Sequence, residues 1–148
     1  MCPELEKCRS LLNSGDAGNA IAELERLLKN GKLEEADKAV ARDLLGKAFI
    51  ALDQISKGLC FFREGTDLLR KISKKDAATF LLFINGMHNY ALALSLAGSF
   101  EEVREILDES LAAITGRLGK SNNLYGKALF YMAEIAIVGG NSTKPKPI

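Results

Sequence analysis

Residues able to do chemistry are sparse in this chain. His88 is the only histidine, so no site built on two imidazoles can form, and neither Cys-x-x-Cys nor His-Glu-x-x-His spacing occurs. A lone imidazole can still act as a general base. His88, however, lies beside Asn85 and Asn89 in an uncharged stretch, where it is expected to be hydrogen-bonded or solvated on a helix face. Cys2, Cys8 and Cys60 are an odd set and cannot all pair within the chain. Cys8 falls at a small-residue packing position and Cys60 precedes Phe61-Phe62, so both are expected to be small buried apolar groups rather than nucleophiles. None of the 13 glycines builds a phosphate cradle: Gly15-Asp16-Ala17-Gly18 and Gly139-Gly140-Asn141 lack the preceding strand and the lysine. The cluster Arg70, Lys71, Lys74, Lys75 fits the preference of a helix C-terminus for cations. No catalytic residue, no metal ligand and no cofactor are expected, and the chain reads as a non-enzyme.

Charge narrows the partner. Lys plus Arg number 20 against 19 Asp plus Glu, so no large field of one sign exists to attract a phosphate backbone or an anionic membrane surface. No nucleic-acid partner is expected. The N-terminus Met-Cys-Pro-Glu-Leu-Glu lacks the basic and apolar regions of a signal peptide. With the unpaired cysteines, this favours the reducing cytoplasm. Ala77 to Ala97 carries no charged residue and is long enough to cross a bilayer. Asn85, His88, Asn89 and Tyr90 sit at its centre, where polar groups in lipid are costly. It is expected to be a helix covered by neighbouring helices, with no membrane span.

The elements that would position these residues are helical throughout. Ala17, Ala20, Ile21, Leu24, Leu27 and Leu28 form one stripe, as do Phe100, Val103, Ile106, Leu107, Leu111 and Ile114. Ser99 with Glu102 predicts a capping box at the start of the second stripe. Breakers at Ser14-Gly15, Asn30-Gly31, Asp53-Gln54, Ser73 to Lys75, Gly98-Ser99 and Gly116 to Asn123 divide the chain into about seven helices. The pattern repeats. Cys8, Leu11, Gly15-Asp16, Ala20 and Leu24 align with Gly46, Phe49, Asp53-Gln54, Gly58 and Phe62, and with Ala91, Leu94, Gly98-Ser99, Val103 and Leu107. Corresponding points at 8, 46, 91 and 133 give spacings of 38, 45 and 42. Small residues at Cys8, Gly46, Ala91 and Ala133 are expected where the first helix of a hairpin crosses its partner closely. Ala20 and Gly58 supply the opposing small surface. Such hairpins need stacked neighbours to bury their apolar faces.

Leu45-Gly46-Lys47-Ala48-Phe49, Leu96-Ala97-Gly98-Ser99-Phe100-Glu101-Glu102 and Tyr131-Met132-Ala133-Glu134-Ile135 resemble the tetratricopeptide repeat. The resemblance spans roughly residues 3 to 139. The spacings exceed the ~34 of the common repeat and are similar to the longer repeats of kinesin light chain and spindle-orientation adaptors. Gly58 and Val103 stand where the family's second helix carries Ala, and no Pro closes a repeat.

The resemblance implies an all-α, right-handed superhelical stack of antiparallel hairpins over residues 1–141. Its repeats would cover about 3–30, 33–72 and 76–116, followed by a lone helix 121–139 and a disordered tail 142–148. It further implies a groove, lined by the first helix of each hairpin, that binds a peptide or helix segment of another protein. Carried onto this chain, the groove residues are Arg9, with Glu6 beside it, then Asp43, Lys47, Asn85, His88, Asn89, Lys127, Tyr131 and Glu134. Asn85 and Asn89, one turn apart, could read a peptide backbone, or could satisfy each other. Leu5, Leu44 and Asn85 stand where the family's carboxylate clamp would need polar or basic groups, so a chaperone tail is not expected. The alternative is a structural subunit or homodimer joined through the last helix, with Phe130, Ile137 and Val138 at its interface.

Overall fold

A computed structural model describes residues 2–119, 122–130, 133 and 134. It contains α1 (Pro3–Asn13), α2 (Ala17–Lys29), α3 (Glu35–Ala51), α4 (Ile55–Ile72), α5 (Ala77–Leu96) and α6 (Phe100–Arg117). Residues 123–130, 133 and 134 are helical again, and no strand occurs among the described residues. The architecture is all-α, with each break where turn-forming residues predict it. Contacts divide the chain into two compact units, Met1–Tyr90 and Ala91–Ile148, and each is described by itself.

In the first unit, α1 packs on α2, both pack on α3, and α3 pairs with α4. Their shared core contains Leu5, Cys8, Leu24, Leu27, Val40, Ala41, Leu44, Leu45 and Phe49. Burying each large aliphatic side chain of this set contributes about 1.5–3 kcal/mol. The first part of α5 adds Phe80, Phe83, Ile84, Met87 and Tyr90 to the buried residues. Asp76 caps α5 by accepting the Thr79 N–H at 2.7 Å, and Asp16 caps α2 by accepting the Asn19 N–H at 3.3 Å. In the second unit α6 buries Val103, Leu107, Ser110 and Ile114. Ser99 is its N-cap residue, but its side chain makes no capping hydrogen bond, so the expected capping box does not form.

The turns α1–α2, α3–α4 and α5–α6 are one structure built three times. Each has a residue in the left-handed region, Gly15 (φ 84°), Asp53 (φ 62°) and Gly98 (φ 78°). Each continues with an N-cap residue at ψ near 65°: Asp16 at 64°, Gln54 at 71° and Ser99 at 62°. The N-cap N–H donates back to the carbonyl five residues earlier, Asp16 to Leu11 at 2.8 Å, Gln54 to Phe49 at 2.8 Å and Ser99 to Leu94 at 3.0 Å. The first helical bond follows in each, from Ala20 to Asp16, Gly58 to Gln54 and Val103 to Ser99. These are the positions aligned from sequence, so the internal repeat extends to the hydrogen-bond pattern of its turns.

A close helix crossing lies between α3 and α4. A Cβ placed on Gly58 would stand 2.9 Å from the Gly46 carbonyl oxygen and 2.8 Å from Ile50 Cγ1. One placed on Gly46 would meet the Phe62 ring at 2.7 Å. Glycine inside a helix costs about 1 kcal/mol relative to alanine, but the close approach leaves no room for alanine's Cβ at either position. Ala133, at the fourth corresponding position, is exposed.

Gly58→Ala should therefore destabilise the protein by about 1–3 kcal/mol, because the obstacle is backbone that cannot rotate away. Gly18→Ala, with nothing within 4 Å of the added carbon, should stabilise it by about 0.5–1 kcal/mol. Urea unfolding of the two variants reads both; equal and opposite-to-expected shifts would refute the crossing.

Candidate functional site

The first helix of each hairpin carries the candidate residues, and the structure sorts them by depth. On α1, Arg9 is exposed and pairs with Glu6 one turn earlier at 3.6 Å. Exposed ion pairs of this kind contribute at most about 1 kcal/mol. On α3, Lys47 is exposed while Asp43, one turn before it, is buried and only 8% exposed. Arg9 and Asp43 both act on Lys47. The protein packed around the Lys47 ammonium pushes its pKa down, the like charge of Arg9 adds to this, and Asp43 opposes it. Burial pushes the Asp43 carboxyl up to about 8, against the pull of Lys47.

On α5, Asn85 is exposed, Asn89 is half-buried and His88 is buried. No hydrogen bond joins the Asn85 and Asn89 side chains among the described residues, so these amides do not satisfy each other. Asp43 and His88 lie deeper than the other candidates, because each shares a helix face with apolar neighbours. Ala39 and Gly46 flank Asp43 at helical spacing, and Ile84 and Ala91 flank His88. In the second unit Lys127 and Glu134 are exposed. Tyr131, Ile137 and Val138, and the tail 142–148, lie outside the described residues.

The helices also carry features that single-residue chemistry does not signal. Arg63 Nε donates to the Tyr90 hydroxyl at 3.1 Å, tying α4 to α5. Phe49 and Phe61 stack at 5.4 Å with Lys57 over the Phe49 ring at 4.7 Å. Thr66, Gly65 and Gly86 gather around Asp43. Their signal in sequence is glycine in mid-helix, which marks a close approach. Cys60 corrects a further expectation, being exposed on α4, whereas Cys8 is fully buried. Burial pushes the Cys8 thiol up, with Glu23 adding.

α5 is long and apolar enough by composition to cross a membrane, and 61% of its most apolar window is buried within the protein. Its exposed residues include Leu81, Asn85, Leu92 and Leu96. No family model matches the chain, and no curated protein matches it.

Pulsed alkylation of the native protein should modify Cys60 at the rate of a free peptide thiol, and Cys8 on the order of a hundredfold slower or more, since Cys8 reacts only through opening of the core. Mass-spectrometric readout showing both thiols modified together would contradict the assigned depths.

Proposed function

We propose that the chain is a non-catalytic, cytoplasmic protein-binding module of the tetratricopeptide type, an adaptor that holds a peptide segment of a partner against the first helices of its hairpins. The observation that carries this reading is the repeated turn, with its same left-handed residue and same hydrogen bonds at Leu11–Asp16, Phe49–Gln54 and Leu94–Ser99. A chain built from one repeated hairpin offers successive equivalent helices, and such arrays use their extended faces to bind other proteins. On this chain those helices are α1, α3 and α5, and the exposed polar groups they offer are Arg9, Lys47 and Asn85, with Asn89 half-buried beside them. Asn85 and Asn89 are one turn apart, and each amide can both donate to and accept from a peptide backbone. In the second unit, Lys127 and Glu134 are the exposed groups offered for the same role. Affinity in the micromolar range, about −8 kcal/mol, suits a modest peptide groove.

A second reading has one observation in its favour. In the helical stretch 123–130, Leu129 is 44% and Phe130 61% exposed, and exposed large apolar groups in neighbouring positions often mark an interface. On that reading the chain is an oligomerising subunit.

Selection from a displayed peptide library separates the two. Selected peptides should bind Asn85→Ala/Asn89→Ala more weakly by about 1–3 kcal/mol, roughly 5- to 150-fold in Kd, with helical circular dichroism unchanged. Equal binding by the double variant would remove those amides from the site. A stable dimer in sedimentation equilibrium, lost on Phe130→Glu, would favour the oligomerising subunit instead.

A further inference from the structure

Asp43 occupies a slot in the first unit that no apolar packing rule explains. It lies in the middle of α3, and its carboxyl group runs between two glycines, one from α4 and one from α5. A Cβ on Gly65 would collide with Asp43 Oδ1 and stand 3.0 Å from the Ala39 carbonyl oxygen. A Cβ on Gly86 would stand 3.2 Å from Asp43 Oδ2, 3.2 Å from Leu69 Cδ1 and 3.9 Å from Thr66 Oγ1. Neither Asp43 Oδ1 nor Thr66 Oγ1 has a hydrogen-bond partner. An anion whose Oδ1 is enclosed in this way has lost hydration there without gaining a donor, whereas the neutral acid tolerates the same enclosure far better.

We propose that Asp43 is a proton-operated latch: as the neutral acid it lets α3, α4 and the first part of α5 close around it, and as the anion it drives that contact toward opening. The charge acting on the carboxyl is Lys47, one turn along α3, and it only partly opposes the effect of burial. Arg9 of α1 acts on Lys47 in turn. On α4, Glu64 is engaged by Arg42 and Asp67 by Arg70. On α5, His88 stands two residues from Gly86, about 200° round the helix. Burial accordingly pushes the enclosed carboxyl up to about 8, against about 4 when solvated.

The sign follows from proton counting. Closing takes up one proton between those two values, so the open-to-closed ratio rises about tenfold for each pH unit from about 4 to about 8 and levels off above. The contact is tightest in acid and looser near neutrality. Its movement would carry Lys47, Asn85 and Asn89, which sit on the same helices, yet the latch does not depend on what those residues bind.

Two measurements on the full chain test this: carbon-13 NMR titration of the Asp43 carboxyl, and hydrogen exchange from pH 5 to 9 corrected for intrinsic rates. Expected are an Asp43 midpoint near 8, and opening of the Gly65, Thr66, Gly86 and Met87 amides that grows about tenfold per pH unit up to that midpoint. The Leu24 and Leu27 amides of α2 should not follow. Asp43→Asn should flatten the pH dependence, and Lys47→Met should move the Asp43 midpoint higher. An Asp43 midpoint near 4 would overturn the latch. So would α2 amides that track those of α5, which would mean global unfolding, or a slope that survives Asp43→Asn. Should Asp43→Asn fail to fold, the wild-type titration and exchange decide alone.

Discussion

The first unit depends on how closely α3 and α4 approach at Gly46 and Gly58. With the Gly46 carbonyl oxygen only 2.9 Å from where a Gly58 side chain would begin, the two backbones are nearly in contact. That closeness lets Phe62 of α4 lie against the bare face of α3, and it sets the depth to which Leu44, Leu45 and Phe49 reach the core shared with α1 and α2. Dispersion attraction falls steeply with separation, so a gap of even 1 Å here would forfeit much of it along the whole helix pair. The preceding hairpin solves the same problem with Cys8 and Ala20, both fully buried. The third hairpin places buried Ala91 and Val103 at the corresponding positions, within its own unit.

Close backbones have a consequence further along the same helices. Gly65 on α4 and Gly86 on α5 leave room beside α3 for a side chain, and the residue that fills it is an acid. An alanine in that position would complete an ordinary apolar core. Asp43 instead couples the packing of three helices to a proton, and through Lys47 to the charged face that includes Arg9. Lys47 is thus acted on from two sides, its charge opposed by Arg9 and favoured by Asp43. The exposed surface and the buried carboxyl are therefore electrostatically one system.

Much of this was legible in sequence. Turn residues placed the boundaries of α1 to α6, and the alignment of Leu11, Phe49 and Leu94 identified the carbonyls that accept the turn-closing hydrogen bonds. The small residue at Gly46, facing Gly58, was likewise readable, because the spacing repeats that of Cys8 and Ala20. What escaped was the rotational position of single polar residues. Cys60 precedes two phenylalanines, but neighbours along a helix point about 100° apart, and burial of Phe62 says nothing of Cys60. Asp43 and His88 look like surface residues by type, and only their spacing from Ala39, Ile84 and Ala91 shows the buried face they share. Ser99 was readable as a cap position but not as a cap without a side-chain bond, since that depends on rotamer and not on residue type.

The central claim is that partners are held on the first helices of the hairpins. The most direct test is amide chemical-shift mapping of the isotopically labelled chain with a peptide selected for binding to it. The account predicts perturbations concentrated on α1, α3 and α5 around Arg9, Lys47, Asn85 and Asn89, with α2 and α4 largely unmoved. Perturbations confined to α2, α4 and α6, or to residues 123–130, would contradict it.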